Sequence, residues 1–200
     1  MDFINQHQTH ICDQLSTKGW VIIDNFLPKE LIEQLARECR ERDSAGNLEQ
    51  AAVGRANARA VQQSIRGDKI QWLEHGMSAA IDSYLNSMSA LRHMLNEQLF
   101  LGLESNENHF ALYPPGAFYQ RHLDRFRDND SRTISSVLYL NEHWQADFGG
   151  ELRLFDQDQA IDISPIANRL ALFVSADIWH EVLPTKVQRL SLTGWFKRRT

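Results

Sequence analysis

The spacing of apolar residues divides the chain near residue 101. Before that point the periods are mostly helical. "FINQHQTHICDQL" places Phe3, Ile4, His7, Ile11 and Leu15 near one face, as an amphipathic helix requires. "PKELIEQLARECRERD" opens with Pro28, whose fixed φ and missing N–H suit a helix start, and carries Leu31, Ile32 and Leu35 on one stripe. "MSAAIDSYLNSMSALRHMLNEQLF" repeats the pattern with Ile81, Leu85, Met88, Leu91, Leu95 and Leu99. Between the first two helices, "GWVIIDNFL" reads as a short apolar strand. Residues 44–64, "SAGNLEQAAVGRANARAVQQS", have no strong period, two glycines and few large apolar side chains. They read as a long loop, and a loop of that length in a compact domain is commonly functional. The expectation is a mobile finger that folds over a bound polypeptide and becomes ordered by it.

After residue 105 the texture changes to strands and turns. "HFALYP", "FYQRHLD", "RTISSVLYLN", "ELRLF", "AIDI", "RLALFV", "HEVLP" and "VQRLSLTGWF" are eight short runs, separated by "PPG", "RDNDS", "ADFGG", "DQDQ" and "SPIAN". Helices first and strands later predict an α+β fold. Eight strands predict a jelly roll or barrel over about 105–197, with the N-terminal helices packed on one outer face. The last run shows both faces. Leu190, Leu192 and Phe196 point one way, and Arg189, Ser191, Thr193 and Trp195 the other. One face is apolar enough to carry helices, and the other is polar enough to line a cavity.

Composition narrows the class. Two hundred residues fit one domain spanning 1–200. A net charge of -5 gives no nucleic-acid footprint. Cys12 and Cys39 lack any partner spacing and read as reduced thiols. The start, "MDFINQHQTH", lacks a basic and apolar leader, and no apolar run approaches the roughly 18 residues of a membrane span. The expectation is a cytoplasmic protein without a nucleic-acid or membrane partner.

The candidate chemistry centres on "YPPGAFYQRHLDRF", Tyr113 to Phe126. As strand neighbours at i and i+2, His122 and Asp124 face the same side. A mixed nitrogen and carboxylate pair suits a borderline divalent metal, and a second His would complete the facial triad of non-haem Fe(II) oxygenases. His7, His10, His75 and His93 lie in predicted helices or at their ends, and His143 lies in the turn "NEHWQ". His109 opens a strand near the pair and is one candidate for the third ligand. His180, far along the chain in "HEVLP", is the other, as a site assembled from several strands requires. Nine residues on, Arg189 shares a face with Thr193 and Trp195. A guanidinium on a cavity-facing strand needs an anion, either a protein acid or a ligand carboxylate.

"HLD", "HEVLP" and "RLSLTGW" together resemble the His-x-Asp…His…Arg pattern of Fe(II)/2-oxoglutarate-dependent dioxygenases. "IRGDKIQWL" (Ile65–Leu73), "YPPGAFYQRHLD", "YLNEHW", "GGELRLF", "NRLALF" and "HEVLPT" resemble the prolyl 4-hydroxylases that act on hypoxia-inducible factor and their bacterial relatives. The resemblance runs from about residue 65 to 196 and implies a double-stranded β-helix, in agreement with the jelly roll read from the strands. It implies Fe(II) on His122, Asp124 and His180. It places Arg189, Tyr139, Tyr113 and Thr193 around the cosubstrate 2-oxoglutarate. Trp195 would wall the pocket near the target proline, with Arg66, Asp68, Trp72, Tyr119 and Arg132 around the substrate entrance.

The implied reaction is hydroxylation of a prolyl residue in a protein, coupled to oxidation of 2-oxoglutarate by O2 to succinate and CO2. L-ascorbate is the reductant that the resemblance implies. A carboxylate at Asp124 leaves no place for a halide ligand, which favours hydroxylation over halogenation. Bacterial relatives point to a translation factor, elongation factor Tu, as candidate substrate. Two other readings use the same residues: the same chemistry on a small molecule or another side chain, and a catalytically silent metal-binding interaction protein. For single residues the plainer alternatives are core aromatics at Tyr139 and Trp195, a helix cap at Asp68, and solvated charges at Arg66 and Arg132.

Overall fold

The computed structural model describes residues 2–51, 64–125 and 131–199. The three helices form where the apolar period places them: α1 (Asp2–Lys18), α2 (Lys29–Ser44) and α3 (Ala79–Leu99). The α3 start is fixed by Ser78, whose side-chain oxygen accepts a hydrogen bond from the Ile81 backbone N–H. Its end is marked by Phe100 in the left-handed region at φ 53°, with the Phe100 N–H donating to Asn96 O.

The eight expected runs become β4 (Leu103–Tyr113), β5 (Tyr119–His122), β6 (Arg132–Tyr139), β7 (Leu152–Asp156), β8 (Gln159–Ile163), β9 (Arg169–Val174), β10 (Trp179–Val182) and β11 (Arg189–Arg198). The run "GWVIIDNFL" supplies β1 (Trp20–Asp24). Two short strands were not expected, β2 (Glu49–Gln50) and β3 (Lys69–Trp72). The strands build two antiparallel sheets. The larger has the order β1-β9-β6-β11-β4-β3-β2, and the smaller β5-β10-β7-β8. The N-terminal half is therefore more than helical support, because β1, β2 and β3 complete the larger sheet at both edges. This is the double-stranded β-helix, with helices on one outer face.

The long loop expected over 44–64 is corrected in its first third. Ser44 still belongs to α2, Leu48 is buried in the helical core, and β2 pairs with β3. Residues 52–63, where the finger was expected, lie outside the described residues. The strand expected through Asp124 is also shorter: β5 ends at His122, and Asp124 falls in the bend beyond it. The backbone N–H of Arg125 donates to Ser175 O at 3.2 Å, which anchors that bend to the end of β9.

Strand alternation separates two cores. Phe110, Leu112, Leu138, Leu170, Leu172, Leu190, Leu192 and Phe196 face the helices and pack with Ile11, Leu35, Tyr84 and Leu91. Ala111, Tyr113, Val137, Tyr139, Ala171 and Phe173 face the other way and pack with Leu152, Leu154 and Val182 of the smaller sheet. On the helix side, Tyr84 of α3 donates from its hydroxyl to Asn108 Oδ1 at 3.0 Å, tying the helix to β4. Gly194 on β11 is the cross-strand neighbour of Asn108, and a Cβ there would collide with Asn108 Oδ1 and come within 2.6 Å of Glu107 O.

Gly194→Ala should therefore force this helix–sheet contact apart and destabilise the protein by about 1–3 kcal/mol, read as a lower urea midpoint at unchanged m-value. An unchanged midpoint would show that Asn108 gives way freely.

Candidate active site

The three expected metal ligands converge. One nitrogen or oxygen from each of His122, Asp124 and His180 lies within 4.8 Å of the others. The two histidines face each other across the β5–β10 ladder as Cα partners. His122 Nε2 lies 3.5 Å from Asp124 Oδ1, and His180 Nε2 lies 3.5 Å from Asp124 Oδ2. Each imidazole has its other nitrogen on a backbone carbonyl, His122 Nδ1 at 2.7 Å from Gln120 O and His180 Nδ1 at 3.1 Å from Ile178 O. A carbonyl accepts only, so both Nδ1 atoms carry a proton, and each Nε2 is the nitrogen that faces the cluster for metal ligation.

The electrostatics agree. Burial pushes His180 down to about 4, further lowered by His122 and only partly countered by Asp124, so its ring is neutral. Burial opposes the charge on Asp124, yet His180, His122 and the Ser135 hydroxyl hold its carboxyl well below the usual range. Two imidazoles and one carboxylate form a facial set suited to Fe(II).

The rival third ligand, His109, lies elsewhere. Its ring sits 4.9 Å from Trp72 and 5.4 Å from Trp195, stacked at 28° on the latter. It is buried and pushed down to about 4 by that burial, and its Nδ1 has no partner among the described residues. It belongs to an aromatic tier on the larger sheet, with Trp72 and Thr193 as its strand neighbours.

Deeper between the sheets, Arg189 is only 1% exposed. Its guanidinium lies 4.9 Å from the ring centre of Tyr113 and 5.1 Å from that of Tyr139. Its Nε donates to Gly150 O at 2.8 Å, and Nη1 lies 3.4 Å from Ser191 Oγ. No carboxylate pairs with it among the described residues. The buried Tyr139 hydroxyl lacks a hydrogen bond of good geometry among the described residues, and burial pushes its phenol up to about 12 against the opposing pull of the Arg189 guanidinium. Burial raises the Tyr113 phenol as well. Thr193 lies further along β11, opposite His109, and makes no bond to Arg189 among the described residues.

Gly150 is a contributor that the residue-type search passed over, although "GG" marks it. Gly149 and Gly150 both have φ 71°, and a Cβ on Gly150 would sit 3.2 Å from Arg189 Cδ. A Cβ on Gly149 would strike the Pro184 carbonyl. The pair lets the loop before β7 present a carbonyl to the guanidinium.

The residues expected at the substrate entrance are present, but several are engaged with one another. Asp68 is buried and takes Arg66 as a two-pronged ion pair, Nε to Oδ1 at 2.8 Å and Nη2 to Oδ2 at 2.6 Å. It caps no helix. Arg66 lies 4.5 Å over the Tyr119 ring, and Tyr119 stacks on His122 at 3.7 Å. Arg132 donates to Glu107 Oε1 at 2.9 Å and lies 3.5 Å over Trp195. Neither arginine is a solvated surface charge. Trp72 is 42% exposed beside the buried Trp195, at 6.3 Å between rings. Among the described residues no helix is long and apolar enough to cross a membrane.

Residues 108–197 match the family model of the 2OG-Fe(II) oxygenase superfamily. The chain is 30% identical to prolyl hydroxylase EGLN3 of Rattus norvegicus, over 94% of this chain and 82% of that protein. A crystal structure of a Pseudomonas putida prolyl-4-hydroxylase aligns with a TM-score of 0.88 and 52% identity, over 96% of this chain and 100% of the other. A prolyl hydroxylase in complex with a hypoxia inducible factor oxygen degradation domain peptide fragment, from Trichoplax adhaerens, aligns with a TM-score of 0.86 and 29% identity, over 96% and 89%.

His180→Ala should abolish retention of Fe(II), or of Mn(II) as its stand-in, measured by equilibrium dialysis. His109→Ala should leave that retention intact, since its ring is committed to Trp72 and Trp195. The reverse pattern would remove His180 from the metal site.

Proposed function

The chain belongs to the 2OG-Fe(II) oxygenase superfamily and, within it, to the prolyl hydroxylases; on that premise we propose that it hydroxylates a prolyl residue exposed in a protein substrate. The reaction joins one oxygen atom of O2 to a prolyl carbon and the other to 2-oxoglutarate, which leaves as succinate and CO2. Iron held by His122, Asp124 and His180 supplies the oxidising chemistry for that step. The chain as a single catalytic unit and elongation factor Tu as its substrate rest on resemblance, and elongation factor Tu is the first protein to test.

The single observation that carries the cosubstrate assignment is the buried guanidinium of Arg189, which has no carboxylate partner among the described residues. A buried cation is costly when unpaired, and its planar fork matches a carboxylate. With the Tyr139 hydroxyl as a second donor, the pocket offers a charge and a hydrogen bond to the far carboxylate of 2-oxoglutarate. Tyr113 walls the same pocket, and Thr193 stands further along β11 beside His109. Closure between two sheets keeps water from these groups and strengthens their interactions.

On the substrate side, the exposed Trp72 offers a flat apolar face to a pyrrolidine ring, and the buried Trp195 walls the pocket beside it. His109 and Arg132 hold the Trp195 ring in place. Arg66, Asp68 and Tyr119 border the opening as a preformed wall, because the Arg66–Asp68 pair is already satisfied within the chain. A wall satisfied in advance loses little freedom when a polypeptide binds.

The decisive assay incubates the protein with Fe(II), 2-oxoglutarate, ascorbate and candidate proteins, and looks by mass spectrometry for proline that has gained one oxygen atom. Hydroxylation of a free small molecule with no protein-bound product would favour the alternative substrate class. Arg189→Ala should raise the KM for 2-oxoglutarate about 10- to 150-fold, corresponding to about 1.5–3 kcal/mol for a charge-assisted pair. Arg189→Lys should recover only part, since a point charge does not reproduce the fork. Unchanged cosubstrate dependence in Arg189→Ala would make the residue structural.

A further inference from the structure

Behind the metal cluster lies a pair of hydroxyls that neither the triad nor the cosubstrate pocket uses. Ser135 and Ser175 are both fully buried. Ser135 Oγ donates to Asp124 Oδ2 at 2.7 Å, and Ser175 Oγ lies 2.8 Å from Ser135 Oγ. The proton order follows from valence. The ionised carboxylate accepts only, so the single Ser135 proton points at Asp124. The contact between the two serines must then be donated by Ser175. The result is a directed chain, Ser175 to Ser135 to Asp124.

Its surroundings make the chain stiff and dry. Ser135 sits mid-strand on β6, between Trp195 of β11 and Phe173 of β9 as its cross-strand partners. The Ser175 N–H donates to Thr133 O at 3.0 Å, and its carbonyl accepts from the Arg125 N–H. Asp124 itself stands in a bend beyond the end of β5, so no ladder hydrogen bond of that strand fixes it. Ser135 belongs to the larger sheet and Ser175 to the turn directly after its strand β9, whereas both histidine ligands belong to the smaller sheet.

We propose that Ser135 and Ser175 are positioning residues for the metal carboxylate. They hold Asp124 in the rotation that sets one oxygen toward His122 and the other toward His180, and they do so from the opposite sheet. Ser135 acts directly, and Ser175 acts only through Ser135. A hydrogen bond of this kind behind a metal ligand typically carries 10- to 100-fold in metal affinity.

The test reads Mn(II) binding to the full chain, without 2-oxoglutarate or substrate, from the electron paramagnetic resonance signal of the free ion. Ser135→Ala should weaken Mn(II) binding at least about tenfold. Ser135→Thr keeps the hydroxyl and should bind close to wild type. Ser175→Ala should show a smaller loss, and that loss should vanish when Ser135 is already alanine, because its only route to the metal is gone. Thermal melts of the metal-free variants identify any that fail to fold. Should Ser135→Ala be such a variant, Ser135→Thr and Ser175→Ala still decide. Wild-type affinity in a folded Ser135→Ala overturns the proposal. So does a Ser175→Ala loss that persists in full on the Ser135→Ala background, or tenfold weakening in a folded Ser135→Thr.

Discussion

A carboxylate removed from water is the constraint around which this molecule is arranged. Burying one ionised group costs several kcal/mol unless opposite charge and hydrogen-bond donors surround it. Asp124 is buried and ionised, with an imidazole nitrogen 3.5 Å from each oxygen and a serine hydroxyl at 2.7 Å. Those neighbours come from β5, β10 and β6, which means from both sheets. The carboxylate is therefore satisfied only when the two sheets have closed on each other. Closure of the sheets therefore also assembles the metal site, and a divalent cation bound there would supply positive charge beside the carboxylate.

The closing surfaces depend on β11 having two different faces. Leu190, Leu192 and Phe196 commit one face to the helices, and that commitment fixes the register of β4 and β6 on either side. Once register is fixed, a one-residue slip is forbidden, because it would turn every apolar side chain toward the site. Arg189, Ser191 and Trp195 are then held between the sheets. Trp195 faces the site with Arg132 across its ring, and Arg132 is in turn tied to Glu107 on β4. A helix-packing requirement on one side of a strand thus sets the chemistry available on the other.

Much of this could be read in the amino-acid sequence, and what could not has a physical cause. The eight strands from 103 to 198 and the alternation in "RLSLTGWF" follow from period-2 patterning in the longer strands and, for the four-residue β5 and β10, from the turn residues that bound them. Two residues of β2 and four of β3 carry no period to detect, so the edge of the larger sheet was hidden inside an apparent loop. The sequence left His109 and His180 both open as third ligand. Only the β5–β10 register, a contact between residues 58 positions apart by number, selects His180. Ser135 and Ser175 were invisible for the same reason. Serine in a strand carries no signal of what stands opposite it, and their meeting with Asp124 depends on how two sheets face each other.

Arginine shows most clearly what structure adds to residue type. Arg66 and Arg189 are both largely removed from solvent, although the sequence marks only Arg189 as a charge in need of an anion and leaves Arg66 as an entrance residue or a solvated charge. Arg66 finds it two residues away in the buried Asp68, with both prongs of its fork engaged. Its requirement is met within the chain, so it serves as a wall and as a flat cation over Tyr119, which in turn lies against His122. Arg189 spends Nε on a glycine carbonyl and Nη1 on Ser191 Oγ, and its fork lies between two tyrosine rings without an acid among the described residues. The same side chain is therefore paired within the chain in one place and, among the described residues, lacks an acid in the other, which is also the more deeply buried of the two. An unpaired buried cation is stable only with an anion from outside, and it lies between the same two sheets as a metal triad that leaves coordination positions open. That pairing of an open cation with an open metal face is what a dicarboxylate bearing a keto group next to one of its carboxylates would complete at both ends.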